Sequence, residues 1–353
     1  MRSLFCVLRA IVRKFPWRTC CRTSGIFIIV GQVAWLCLPG YQGDLNALPG
    51  GHEVMCSREE SLRVTLDDQD RYCEPVSYAQ LGDWIPKALI AAEDKRFRSH
   101  AGIDPIAMIR ATKDNVKSLQ VVSGASTLST LVVKLTEPRD RTLGTKLLEA
   151  HHAFELEAQL TKDEILVQYL NRASFGGNII GVRAASKRYF GREPADLTLA
   201  EAALLVGLPQ SPSRYRPDRF PGRALYRRGY VLRKMLAMGV IDQTRFEAAF
   251  AEPLRLAIKE RPFEAPHFCD LVERVYPDTR VIQTSLDQRV QALAEGALRE
   301  GVRGLQGRPI AGAAIVVLEV RSGTVRALVG SPDYWDEEVG QVNGAMTRRS
   351  SSQ

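Results

Sequence analysis

Apolar residues recur at helical spacing through most of the chain between residues 80 and 260. Pro86 stands at one helix start, and Leu89, Ile90 and Ala92 give that helix an apolar face that runs into Glu93. Asp104-Pro105 pairs an N-cap with a first-turn proline, after which Ile106, Ile109 and Val116 fall on one face. Thr161-x-x-Glu164 and Thr198-x-x-Glu201 have the form of capping boxes, in which a hydroxyl and a carboxylate satisfy backbone donors that a helix start leaves open. They open apolar runs at 165–170 and 199–206, the second stopping at Gly207 and Pro209. A further helix, with arginines on one face, is expected over 224–238 and ends at Gly239. No sustained period-two alternation interrupts residues 81–260, which are predicted as an all-helical domain.

The pattern then changes. Residues 281–286 read as a strand, 287–305 as a helix, and 313–320 with 324–329 as a hairpin around Arg321-Ser322-Gly323. Residues 261–353 are thus expected as a linker and the start of a mixed α/β unit. That unit is unfinished, because a hairpin with one helix buries too little apolar surface to stand alone. Residues 40–80 are polar and turn-rich, with one alternation at Leu62-Arg63-Val64-Thr65-Leu66, and read as a lead-in. The fold class expected is mainly α.

Composition adds a membrane to this picture. The chain has 353 residues, 45% of them apolar, and a net charge of +8, which makes it globular and basic. Zinc-finger spacing and ribonucleoprotein aromatics are absent from the sequence, so nucleic acid is not the expected partner. Arg2, Arg9, Arg13, Lys14, Arg18 and Arg22 fill a basic segment, 1–24, ahead of an apolar segment, 25–39, that only Gln32 breaks before Leu38. Such a charge bias places the amino terminus inside and exports the remainder. The run is shorter than the roughly 20 residues of a bilayer-spanning helix, and a cleavable signal peptide is the competing reading. The flanking charge and the lack of a small-x-small cleavage pattern favour an uncleaved anchor. Outside it, Cys56 and Cys73 could close a disulfide in an oxidising compartment or stand as unpaired thiols. Metal-ligand spacing is not found in the sequence.

The candidate chemistry gathers in the helical domain. Glu93 and Asp94 end an apolar helix, where desolvation raises a carboxylate's pKa and prepares it to take a proton. Taken alone, the pair reads equally as a solvated surface feature. Gly124-Ala125-Ser126-Thr127 is a hydroxyl-rich turn able to donate to an anion, and an ordinary loop is its plain reading. Lys134, Arg141 and Lys146 bring cations, and Glu149 lies in a helical run beside Leu147, Ala150, Phe154 and Leu160. Two acids and a basic cluster outside a membrane suggest work on a glycosyl phosphate or a polysaccharide.

Read in order, these blocks become specific. Glu93-Asp94-x-x-Phe97-x-x-His100-x-Gly102, Gly124-x-Ser126-Thr127, Arg141-Thr142 with Lys146-x-x-Glu149, Tyr169-Leu170-Asn171-x-x-x-Phe175-Gly176, Tyr189-Phe190-Gly191 and Ala203-Leu204-Leu205-x-Gly207-Leu208-Pro209 follow one another. This order resembles the peptidoglycan glycosyltransferase domain of class A penicillin-binding proteins. The stretches 211–219 and 340–345 are most similar to the 1C branch of that family. The resemblance implies a lysozyme-like helical fold that extends glycan strands from lipid II, with the inner membrane, the growing strand and other cell-wall synthesis proteins as partners. It implies a single-pass protein of the bacterial inner membrane with its catalytic domain in the periplasm. Glu93 matches the general base that deprotonates the acceptor 4-hydroxyl, and Glu149 the second acid. Ser126, Lys134 and Arg141 match positions that hold the donor pyrophosphate. Asp94, Phe97, His100, Thr127, Lys146 and Asn171 stand in the same blocks and are expected at the substrate. An apolar surface that dips into the bilayer is expected within 119–135. No organic cofactor is implied, and a divalent ion is left open.

Three departures qualify the resemblance. Leu131 stands where the family carries glutamine, Thr145 where it often carries arginine, and Leu148 where it often carries a basic residue. Fewer polar and cationic contacts lead to the alternative of a catalytically weakened or inactive scaffold that binds lipid II. At the carboxyl end, Arg348-Arg349-Ser350 leads to Gln353 where the family's Ser-x-x-Lys acylation motif would begin, so a truncated transpeptidase domain without penicillin binding is expected. A lysozyme-type hydrolase is the third reading, disfavoured because cleavage needs an acid for the leaving oxygen while this chain offers phosphate-binding cations.

Overall fold

The computed structural model describes residues 38–118, 126–140, 142–258, 261–305, 312–337 and 340–346. The expected membrane segment therefore lies almost wholly outside the described residues, among which no helix is long and apolar enough to cross a membrane. In chain order the elements are β1 (Glu53–Met55), β2 (Ser61–Val64), β3 (Tyr72–Cys73), α1 (Trp84–Glu93), α2 (Pro105–Ser118), α3 (Leu128–Thr136), α4 (Leu143–Gln159) and α5 (Lys162–Arg172). There follow β4 (Ser174–Gly176), β5 (Ile179–Ile180), α6 (Val182–Phe190), α7 (Leu199–Gly207), α8 (Pro212–Tyr215), α9 (Pro221–Ala237), α10 (Gln243–Ala251), α11 (Pro266–Val275), β6 (Val281–Gln283), α12 (Gln288–Arg303), β7 (Ile315–Leu318) and β8 (Val325–Val329).

Helices dominate, and their starts follow local chemistry. Thr161 and Thr198 each accept from the third helical N–H while Glu164 and Glu201 reach back, so both capping boxes form. Asp104 Oδ1 accepts from Ala107 N at 2.9 Å and caps α2. The arginine-rich helix α9 begins at Pro221, earlier than expected, because a first-turn proline lacks only an N–H that would have no helical partner.

Two three-helix groups share one apolar core. Helices α1, α7 and α9 pack on one another through residues such as Ile85, Leu89, Ala203 and Val231. Helix α3 packs on α4 and α5 through Leu128, Val132, Leu156 and Leu166. Against α6 and α8 lies a small sheet that the helical pattern concealed, in which β3 lies parallel to β5 and β4 antiparallel to it. Residues 81–260 are therefore not all helical. Strands of two or three residues are too short to impress a period on the sequence.

The lead-in is more than a spacer. Strand β1 pairs antiparallel with β2 and parallel with β6, Val54 standing opposite Ile282. Val54, Cys56 and Leu62 are buried with Phe268, Cys269, Ile282 and Leu286 in a second core. Residues 53–64 thus join the chain beyond 260, where β7 and β8 form the expected hairpin against α12. Cys56, Cys73 and Cys269 are unpaired thiols. Cys56 belongs to the second core, whereas the Cys73 thiol donates to the Asn171 carbonyl at 3.4 Å, so the disulfide alternative does not form.

The connection from α1 to α2 crosses α4 at Gly102, whose φ is +93°. A Cβ there would stand 2.8 Å from the Ala153 carbonyl carbon and 2.9 Å from its oxygen. Both the backbone conformation and the approach require glycine. Gly102→Ala is expected to destabilise the protein by about 1–3 kcal/mol, measured as a lower urea midpoint with an unchanged slope.

Candidate active site

Glu93 is the last residue of α1, seated where α7 and α9 close over that helix. Burial holds its pKa above the usual carboxylate range, Arg227 works against that shift, and neighbouring Asp94 adds to it. Arg227 Nη2 lies 3.4 Å from Glu93 Oε1. The guanidinium is itself fixed, with Nε donating to the Gly207 carbonyl at 3.2 Å, Nη2 to Gln210 Oε1 at 3.2 Å, and the Tyr230 ring 4.4 Å away. The Tyr169 hydroxyl is pushed well above its ordinary pKa by burial and by the charge of Glu93, so it stays protonated beside the carboxylate. The Glu93 side chain keeps 18% exposure, enough to be reached by a substrate hydroxyl while remaining largely desolvated.

Asp94, Phe97, His100 and Thr127 build the loop that follows Glu93. Asp94 Oδ2 accepts from Leu128 N, the first N–H of α3, and from His100 Nε2, both at 3.0 Å. His100 Nδ1 lies 3.8 Å from Glu157, which pairs with Lys162 at 2.6 Å and accepts from Ser129 Oγ at 2.5 Å. Lys162 also donates to the His100 carbonyl and lies 4.4 Å over the fully buried Phe97 ring. Thr127 caps α3 and donates its hydroxyl to the Gly102 carbonyl at 2.5 Å. Asn171 uses both ends of its amide on the backbone of Val76, at 2.9 and 3.0 Å. A recurrent motif spacing does not separate residues that touch a ligand from those that hold the loop; most polar atoms of these five bond within the protein, while His100 Nδ1 is buried without a hydrogen-bond partner.

The cations gather around Glu149 of α4. Lys146 Nζ lies 2.6 Å and Lys134 Nζ 3.9 Å from the same oxygen of Glu149, and Lys134 also reaches Ser126 Oγ at 3.5 Å. Both ammonium groups remain substantially exposed, whereas the carboxylate does not. Glu149 thus aligns two lysines, and the group keeps a net positive charge beside the Ser126 hydroxyl. Arg141 lies outside the described residues. At the departures from the family pattern, Leu131 packs against the main core, and Thr145 Oγ1 bonds Thr142 Oγ1 at 2.8 Å.

The apolar surface expected within 119–135 lies partly outside the described residues. Residues 119–125 are outside the described residues, and α3 buries Leu128, Val132 and Val133. Within the described part of that stretch Leu135 is 39% exposed, and on α2 Ile106 is 62% and Ile109 72% exposed. Among the described residues, no group of three or more His, Cys, Asp or Glu side chains converges as metal ligands. Arg227, Gln210 and Tyr169 are the neighbours of Glu93 that motif reading did not assign. The one available signal was the arginine-rich face of α9, which reads by default as solvated.

A helical domain in which an arginine-held carboxylate and a lysine-rich patch flank one connecting loop is suited to moving a proton beside an anionic group. Residues 59–236 match the family described as Transglycosylase, and the chain belongs to that family. It is 38% identical over 265 residues to penicillin-binding protein 1C of Escherichia coli (strain K12), covering 74% of this chain and 34% of that protein. Against penicillin-binding protein 1A of Aquifex aeolicus it is 36% identical over 252 residues, covering 69% of this chain and 34% of that one. A crystal structure of penicillin-binding protein 1A from Haemophilus influenzae aligns at 20% identity and a TM-score of 0.33, over 76% of this chain and 32% of that chain. The chain spans about a third of the length of these relatives.

Because the folded-state pKa of Glu93 is raised, the native protein binds more protons than the unfolded chain between the ordinary value of 4.5 and the raised one. Stability contributed by this group is present below that window and is lost as pH rises through it. Carboxyl-carbon NMR titration is expected to place Glu93 above the ordinary range, and Arg227→Gln to move it higher still. An unmoved or lower value in that variant would show that Arg227 does not set the proton affinity of the site.

Proposed function

We propose that the chain is a peptidoglycan glycosyltransferase that polymerises lipid II into glycan strands. The single observation that carries this reading is Glu93, whose proton affinity burial raises and Arg227 lowers, at the end of a helix that Asp94 ties to α3, the helix that carries Lys134. In this reading Glu93 takes the proton of the acceptor sugar's 4-hydroxyl. The freed oxygen bonds to C1 of the growing strand on the face opposite the pyrophosphate, the C1–oxygen bond to pyrophosphate breaks, and the centre inverts. The departing diphosphate passes to Lys134, Lys146 and the Ser126 hydroxyl, with Arg141 as a further cation. Such a leaving group needs positive charge rather than a proton. Glu149 acts as a positioning residue that holds both lysines.

The helical domain is read as lysozyme-like. Residues 25–39 anchor the chain in the bacterial inner membrane with the helical domain in the periplasm, and Ile106 and Ile109 of α2 dip toward the lipid from which the substrate arrives. Incubating the full chain in detergent with labelled lipid II tests the proposal. Glu93→Gln is expected to lower polymerisation by about 10²–10⁴-fold, and Glu149→Gln to lower it while raising KM through misplaced lysines. Wild-type polymer yields matched by Glu93→Gln would sink the assignment, and lipid II binding without polymer would instead favour the scaffold alternative.

A further inference from the structure

A cavity of about 900 Å³ lies where the helical domain meets the chain beyond 260, away from Glu93 and the lysines. Four arginines, Arg63, Arg188, Arg216 and Arg261, line it, and no Asp or Glu does among the described residues. Two of them are held rigidly from behind. Arg63 Nη1 bonds Asp270 Oδ1 at 2.5 Å, and Arg216 grips Asp218 through Nε at 3.1 Å and Nη2 at 2.5 Å. Arg216 crosses the β4–β5 turn so closely that a Cβ on Gly176 would stand 2.6 Å from its Cγ, and one on Gly177 would stand 3.1 Å from its Nη1. The two glycines therefore make room for a guanidinium at the cavity wall. Arg261 is exposed at its edge.

An aromatic ledge adjoins these charges. Trp335 stacks on Phe263 with ring centroids 5.1 Å apart and planes 25° from parallel, and Arg63 lies 5.1 Å over the Phe263 ring. Trp335 is nonetheless 69% exposed, with the Tyr334 ring perpendicular to it at 5.4 Å. A flat indole suits the C–H face of a sugar ring, and the guanidinium donors left over from the Asp218 and Asp270 pairs, with Arg261 at the edge, suit carboxylates.

We propose that this cavity binds a carboxylate-bearing glycan, with one sugar ring against Trp335 and its acidic substituents toward Arg188, Arg216 and Arg261. The size fits a short oligosaccharide. Naming the glycan as the strand that the protein itself makes rests on the proposed activity; the binding chemistry does not. An acidic protein segment is the competing occupant, disfavoured because it would make less use of the exposed indole.

The test uses the full chain in detergent and soluble, uncross-linked glycan strands bearing peptide stems, with dissociation constants measured at low and high salt. Trp335→Ala and Arg261→Ala are each expected to weaken binding about tenfold, and amidating the strand carboxyls to weaken it similarly. Both residues are exposed, and an unchanged melting temperature confirms that the variants fold. Variants that bind as tightly as wild type would overturn the proposal, as would amidated strands that bind unchanged or free stem peptides that bind as well as whole strands. Polymerisation of lipid II is followed on the same samples. A wild type that makes no polymer would overturn the proposed activity while leaving the binding comparison to decide the cavity.

Discussion

The two hydrogen bonds accepted by Asp94 fix the geometry on which the active site depends. One comes from Leu128 N at the start of α3 and the other from His100, so a single buried carboxylate ties the end of α1 to the start of a helix 34 residues further on. Hydrogen bonds to a charged group contribute about 1.5–3 kcal/mol each, and here they act at the residue beside the proposed base. Gly102, passing against the backbone of α4, and Thr127, donating to the Gly102 carbonyl, close the same loop from its other end. Glu93 and the start of α3 are thus held in place by bonds that close one loop.

Opposing forces then set the behaviour of Glu93. Packing by α7 and α9 removes water and favours the neutral acid, while Arg227 favours the carboxylate. Arg227 remains in place because the Gly207 carbonyl and Gln210 hold it. A base so poised binds a proton readily yet is ionised when needed, the usual compromise at acid–base sites. The lysine patch follows different logic, since Glu149 gives up one unit of positive charge to align two ammonium groups that stay open to solvent.

The second core shows how the ends of the chain depend on each other. Residues 53–64 supply two strands to the sheet that β6 completes, and Arg63 reaches both Asp270 and Phe263. That union solves the stability problem posed by a lone hairpin and helix, because strands from before the helical domain bury apolar surface with those after it. It also creates the arginine-lined cavity, whose walls come from residues as far apart as Thr65 and Trp335.

Local features were legible in the sequence: the capping boxes at Thr161 and Thr198, the proline that opens α2, the hairpin of β7 and β8, and the acid at the end of α1. Each reflects backbone and burial demands met within a few residues, which leave a period or a cap in the chain itself. The order of the motif blocks likewise placed the chain in its family. Tertiary structure alone decided that Arg227 faces Glu93, that Asp94, Phe97, His100, Thr127 and Asn171 hold the loops, that Cys56 and Cys73 belong to different surroundings, and that β1 pairs with β6. These outcomes join residues separated by many turns of chain, where a buried arginine and a solvated one look alike in sequence and only packing distinguishes them.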